Sequence, residues 1–196
     1  MAAAGSRFDA ILFDFDGVLA DTEPLHFAAW RELIPNLDWQ TFQAHGLGRT
    51  DAALLEALGL GSLACRLPEK RRRFVELALA AGSLAPPVVA LVKSLAEFRL
   101  AVVTSSDRSE VEPLLDAAGV RDCFAALVCL GDAARPKPAP DPYLRAAALL
   151  GATRPLVVED SEPGVTSARA AGFDAIPILS PLETPRAVRA ALGISA

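Results

Sequence analysis

Five short apolar runs, at residues 10–13, 100–103, 126–130, 156–158 and 175–179, set the rhythm of this chain. The segments between them carry helical spacing, and strands that alternate with helices pair in parallel and need helices over both faces. A doubly wound parallel-sheet α/β core is therefore expected. The interval after the first run breaks the rhythm, because about 85 residues separate it from the second, far more than one crossover helix requires. Helical patterns at residues 22–33, 39–44, 50–58 and 68–81 fill that interval, stopped by Pro35, Gly46, Gly59 and Gly82. Thr22 suits an N-cap, with Pro24 in the first turn where a missing N–H does no harm. The expected organisation is a core of residues 1–19 and 86–196, with a small all-helical cap, residues 20–85, inserted after the first strand. Pro86 and Pro87 stiffen the return and open a helix ending near Phe98.

The composition narrows the function classes. With 52% hydrophobic and 22% charged residues the chain is globular. A net charge of -5 gives no general reason to bind nucleic acid or an anionic membrane. An anionic substrate must then be met by local cations or a metal. No uninterrupted apolar run approaches the roughly 18 residues of a membrane span, so a soluble protein is expected. Residues 1–5 lack a basic start and a long apolar stretch, so no secretory signal is predicted. Cys65, Cys123 and Cys129 are too few for a metal cluster or a disulfide framework, which fits reduced thiols in the cytoplasm.

Each of the first, second and fourth apolar runs ends in polar residues. The first gives way to Asp14, Phe15, Asp16 and Gly17. In open α/β sheets ligands bind beyond the carboxyl ends of the strands, and Gly17 lets the backbone turn sharply there. Asp14 and Asp16 are candidate site residues, although a lone Asp-x-Asp also suits a helix cap and a solvated turn. The second run ends in Thr104, Ser105, Ser106 and Asp107, a hydroxyl and free turn amides that suit a phosphoryl oxygen. Ser109 could equally cap the next helix. Three prolines hold the chain extended around Lys137 until Asp141 caps a helix with Pro142 at its first position. The fourth run ends in Glu159, Asp160 and Ser161, with Pro163 and Gly164 opening the next helix, and adjacent carboxylates repel unless a cation lies near. The basic run Lys70 to Arg73 reads as a solvated helix face, but four residues in one turn cannot all point one way, which leaves one of them to reach the cleft.

In order, these stretches resemble the four motifs of the haloacid dehalogenase-like (HAD) hydrolases: Asp-x-Asp-Gly-Val-Leu at 14–19, a strand ending in Thr104, Lys-Pro-x-Pro-Asp at 137–141, and Glu-Asp-Ser-x-x-Gly-Val at 159–165. The resemblance implies a Rossmann-like core and magnesium-dependent phosphoryl transfer. Asp14 would be the nucleophile, and Asp16 would protonate the leaving oxygen and later activate water. Thr104, the Ser105 backbone and Lys137 would cradle the phosphate. Asp14, the Asp16 backbone carbonyl and Asp160 would hold magnesium, with Glu159 at or just behind it. Pro136 departs from the family, which more often has a small residue before the lysine.

The insert is similar to that of the β-phosphoglucomutase-like branch, with His26, Trp30, Arg49 and Lys70 at its cap positions and Gly46-Leu47-Gly48-Arg49 resembling its substrate loop. Arg49 could hold a distal phosphate bidentately and His26 could steer Asp16; packing of the cap is the other reading for His26 and Trp30, and His45 is given no role. The expectation is a phosphatase acting on a small phosphorylated metabolite, a sugar phosphate, as a monomer or weak homodimer without nucleic-acid or membrane partners. β-Phosphoglucomutase is the alternative; the cap looks shorter than the mutase's, which favours hydrolysis. A dehalogenase would not need Asp16, and a phosphonatase would want a lysine where Arg49 stands. A catalytically silent binding protein is disfavoured by the complete motif set, and a nucleic-acid module on residues 70–73 by the net charge.

Overall fold

Parallel strands β1 (Ala10–Phe13), β2 (Arg99–Val103), β3 (Phe124–Val128), β4 (Pro155–Glu159) and β5 (Asp174–Pro177) form one sheet in the order β3-β2-β1-β4-β5. The structure is a computed structural model and describes residues 7–82 and 84–194; the expectation for residues 1–5 lies outside the described residues. Strand order reverses between β1 and β4, and in such sheets the ligand site opens at that switch point, beyond the carboxyl end of β1. Asp14 follows β1 directly.

All four residues of β1 are buried because helices cover both faces. Ile11 and Phe13 point to one cluster, with Val88 and Leu91 of α5 (Pro86–Ser94) and Val111 and Leu114 of α6 (Arg108–Ala117). Ala10 and Leu12 point to the other, with Tyr143 and Ala146 of α7 (Asp141–Leu150) and Ala168 of α8 (Glu162–Ala170). The side-chain period of two divides the strand between the two faces.

Between β1 and α5 lie α1 (Glu23–Leu33), α2 (Trp39–His45), α3 (Asp51–Ala57), a 3-10 stretch Gly61–Arg66, and α4 (Leu67–Ala81). They share a small apolar cluster of Trp30, Leu37, Phe42, Leu54 and Leu55. Ala29, Phe74 and Ala78 from the same helices join the main core cluster instead. A last helix, α9 (Thr184–Leu192), returns to that core through Val188. The sequence reading placed no element there, although Pro185 and Gly193 punctuate its ends.

Several local expectations change. β3 ends at Val128 because the Cys129 N–H is taken by the Asp132 carboxylate. β5 is shorter than the predicted run, and α5 stops at Ser94 rather than near Phe98. The N-cap of α6 is Asp107, in a reciprocal capping box with Glu110, and Ser109 donates to it. Asp141 pairs with Arg135, so Pro140 occupies the cap position of α7. Thr22 makes no cap hydrogen bond; its hydroxyl turns to Asp16. No single helix among the described residues is long and apolar enough to cross a membrane.

Candidate active site

Asp14 stands where β1 ends, and its N–H still bonds to the Val158 carbonyl of β4, which fixes the backbone at the switch point. Lys137 reaches in from the proline-rich loop, with Nζ 3.0 Å from Asp14 Oδ1, 2.6 Å from Glu159 Oε1 and 2.9 Å from the Val103 carbonyl. The Tyr143 hydroxyl donates to the same Glu159 oxygen at 2.8 Å. The other, Oε2, accepts from the Asp160 and Ser161 amides and the Ser161 hydroxyl. Both Glu159 oxygens are therefore in use. Burial works against its charge, but Lys137 and these donors outweigh that and hold Glu159 below the usual carboxylate range.

Asp14 is in the opposite position. Burial, and then the Glu159 charge, push its carboxyl well above the usual range, and Lys137 offsets only part of this. Burial with Glu159 also raises Asp160 to about 7. Oxygens of Asp14, Glu159 and Asp160 all lie within 4.8 Å of one another. Lys137 pairs with Asp14 and Glu159 but not with Asp160, so the cluster holds more negative charge than its one ammonium balances, and all the donors are hard oxygens, a set that fits a divalent cation such as magnesium. Gly17, at φ +72°, makes the cluster possible, since a Cβ there would run into the Asp160 carboxylate.

Asp16 points away from this cluster. Its Oδ1 accepts from the Thr22 hydroxyl at 2.6 Å and pairs with His26 Nε2 at 3.2 Å, while Oδ2 accepts from the Ser106 hydroxyl at 2.6 Å. Burial opposes ionisation, yet the bonds from His26, Ser106 and Thr22 outweigh it and hold Asp16 far below the usual range. Behind His26 stands Lys70, whose ammonium donates to His26 Nδ1 at 2.8 Å and Glu110 Oε1 at 2.9 Å, and pairs with Asp51 Oδ1 at 2.9 Å. An ammonium has no lone pair, so Nδ1 accepts and Nε2 carries its hydrogen toward Asp16. The His26 ring also stacks on Phe74, 3.8 Å between centroids.

A family model for haloacid dehalogenase-like hydrolases matches residues 8–172. The chain belongs to this family. Fructose-1-phosphate phosphatase YqaB of Escherichia coli is 33% identical, covering 88% of this chain and 97% of that protein. Beta-phosphoglucomutase of Bacillus subtilis is 26% identical, covering 85% and 81%. The crystal structure of CbbY from Rhodobacter sphaeroides in complex with phosphate superposes with a TM-score of 0.74 at 28% identity, over 87% of each chain.

Within this HAD hydrolase, Asp14, Asp16, Lys137, Glu159 and Asp160 converge on one place from strand ends and loops far apart in sequence. Ser105 and Arg49 line the same cleft. Thr104 is buried beneath it, its hydroxyl accepting from the Ser106 amide and facing Asp16. Lys70 departs from expectation: its side chain is 0% exposed and works behind His26, not against the cleft. The rest of the basic run divides between Arg71, which pairs with Asp107, and Arg72 and Arg73, which pair with Glu76 and Glu32. Trp30 is buried and donates to Asp51, a packing role. Thr22, Ser106 and Tyr143 join the site without any signal in the sequence, because a hydroxyl near a motif has no spacing signature.

Proposed function

We propose that this HAD-family phosphatase hydrolyses a small sugar phosphate with magnesium, through an aspartyl-phosphate on Asp14. The observation that carries the reading is Lys137 held between Asp14 and Glu159 at the end of the central strand, with Asp16 two residues on and turned aside. Asp14 and Asp160, with the Asp16 backbone carbonyl, would hold the metal, which would supply positive charge against the phosphoryl oxygens. Glu159, with both oxygens already hydrogen-bonded, supports the site by placing Lys137.

Asp14 attacks phosphorus and the ester P–O bond breaks, its electron pair leaving with the sugar oxygen, which takes a proton from Asp16. Water then gives a proton to Asp16 and attacks the same phosphorus, releasing inorganic phosphate and restoring Asp14. The donors around Asp16 keep it ionised, which suits the second half. For the first half it must take up a proton and leave Thr22 and Ser106. Ser105 and Lys137 face the phosphoryl group, and Thr104 backs the Ser105–Ser106 turn.

Residues 20–85 form the cap in this reading, closing over a core of 1–19 and 86–196 and excluding water; the separate apolar cluster around Trp30 and Phe42 supports that division. The enzyme works in the cytoplasm as a monomer or weak homodimer, a setting in keeping with three free cysteines. A second reading, β-phosphoglucomutase, is favoured by Arg49, which lines the cleft without an ion-pair partner among the described residues. Product analysis with magnesium separates the two. Free phosphate from a panel of sugar phosphates supports the phosphatase; conversion of β-glucose 1-phosphate, with a trace of the bisphosphate, to glucose 6-phosphate without free phosphate supports the mutase.

A further inference from the structure

The charged side chains lining the cleft are unequally committed. Asp14 and Lys137 hold each other, Asp51 and Glu110 hold Lys70, Asp107 holds Arg71, and Asp16 and His26 hold each other. Among the described residues, Glu23, Arg49 and Asp160 line the cleft with no hydrogen-bond or ion-pair partner for their side chains. Asp160 belongs to the carboxylate cluster. That leaves one acid and one base that no other described side chain uses. Glu23 lies in the first turn of α1 and Arg49 in the loop after α2, and they do not pair with each other.

We infer that Glu23 is a specificity residue that accepts hydrogen bonds from hydroxyl groups of the leaving sugar, so that the cleft selects a phosphate monoester with a neutral, hydroxyl-rich remainder. The inference rests on the phosphatase reading above. Glu23 is half-buried, and its carboxyl is raised by burial and by the charges of Asp16 and Asp21. A carboxylate or second phosphate placed there would meet the like charges of Glu23 and Asp21, whereas a hydroxyl would meet an acceptor that no side chain among the described residues satisfies. Arg49, the free donor, suits a ring or hydroxyl oxygen elsewhere on the same molecule. An acceptor that is matched in one substrate and opposed in another separates the two more strongly than a difference in apolar contact.

The test compares the wild-type enzyme with Glu23→Gln and Glu23→Ala, measuring phosphate release from fructose 1-phosphate and from 2-phosphoglycolate at saturating magnesium. The ratio of kcat/KM for the sugar ester to that for the acid ester should fall roughly tenfold or more in both variants, mainly through KM of the sugar ester. Thermal melts confirm that each variant is folded, and the two variants remove the charge with and without the bulk of the side chain. An unchanged ratio in folded variants overturns the inference. So does a parallel loss on both substrates with a raised magnesium requirement, which would make Glu23 a residue serving the metal. If the wild-type enzyme releases phosphate from no ester at all, the phosphatase reading fails first, and this inference with it.

Discussion

Lys70 Nζ lies 2.8 Å from His26 Nδ1, and through the His26 ring this contact joins the inserted helices to Asp16. Lys70 sits on α4, His26 on α1 and Glu110 on α6, so one buried ammonium ties two helices of the insert to one of the core. Burial works against its charge, but Asp51 and Glu110 outweigh that and raise its pKa. Lys70→Met would leave Glu110 buried without its cation and Asp51 with only the more distant Arg71, 3.8 Å away, and breaking a buried pair in this way typically costs about 3–5 kcal/mol. Denaturant unfolding should show that loss, and adding Glu110→Gln should recover part of it. A loss below about 1 kcal/mol would mean that the ammonium is not the tie.

Asp14→Asn keeps the shape of the side chain and removes the proposed nucleophile. Turnover should fall to background while the fold is retained, because burial already disfavours the Asp14 charge and a neutral amide removes that burden. Phosphate release from the purified variant is the measurement; residual turnover above background would sink the assignment.

Asp160 predicts a direction for stability against pH. Its folded pKa, about 7, lies above the ordinary 3.8, so between those values the folded state holds a proton that the unfolded state has released. Its contribution to stability therefore falls as pH rises through that window. Added magnesium should raise the Tm more at pH 8 than at pH 5, where protons compete for the same oxygens. In the absence of magnesium, Asp160→Asn should flatten the decline of Tm between pH 4 and 7; an equally steep decline would show that other groups cause it.

Gly17→Ala tests the close approach at the strand end. The left-handed backbone alone costs roughly 1–2 kcal/mol with a Cβ, and here that Cβ would also displace the Asp160 carboxylate. Magnesium affinity, read by calorimetry, should fall together with stability. Loss of stability with unaltered affinity would separate Gly17 from the metal site.

Cys129 and Cys65 should differ in reactivity. Burial raises the Cys129 thiol to about 11, whereas Cys65 is exposed. Alkylation of the folded protein at pH 8, followed by peptide mass analysis, should label Cys65 and spare Cys129. Equal labelling would contradict the burial.

The strands, the inserted helices and the main motif residues were legible because each has a local cause. Apolar runs of strand length bounded by turns announce β1 and β4, and prolines around Lys137 announce a stiff, placed lysine whatever surrounds it. Caps were read less well. Thr22, Ser109 and Asp141 all have cap chemistry, but Thr22 is claimed by Asp16 and Asp141 by Arg135, partners that lie outside the helices they were expected to start. The basic run leaves Lys70 free to reach the cleft, and only the packing of α4 against α1 and α6 turns it inward.

By itself, the sequence determined that this chain builds a parallel sheet with a helical insert and carries its acids at strand ends and its lysine on a proline-stiffened loop, since those features follow from period, breakers and spacing. Tertiary structure decided which charges find partners. Asp16 is held ionised, Asp14 and Asp160 are pushed toward their protons, and Glu23 and Arg49 are left unpaired among the described residues, because burial and through-space neighbours, which no spacing encodes, set the energy of a charge.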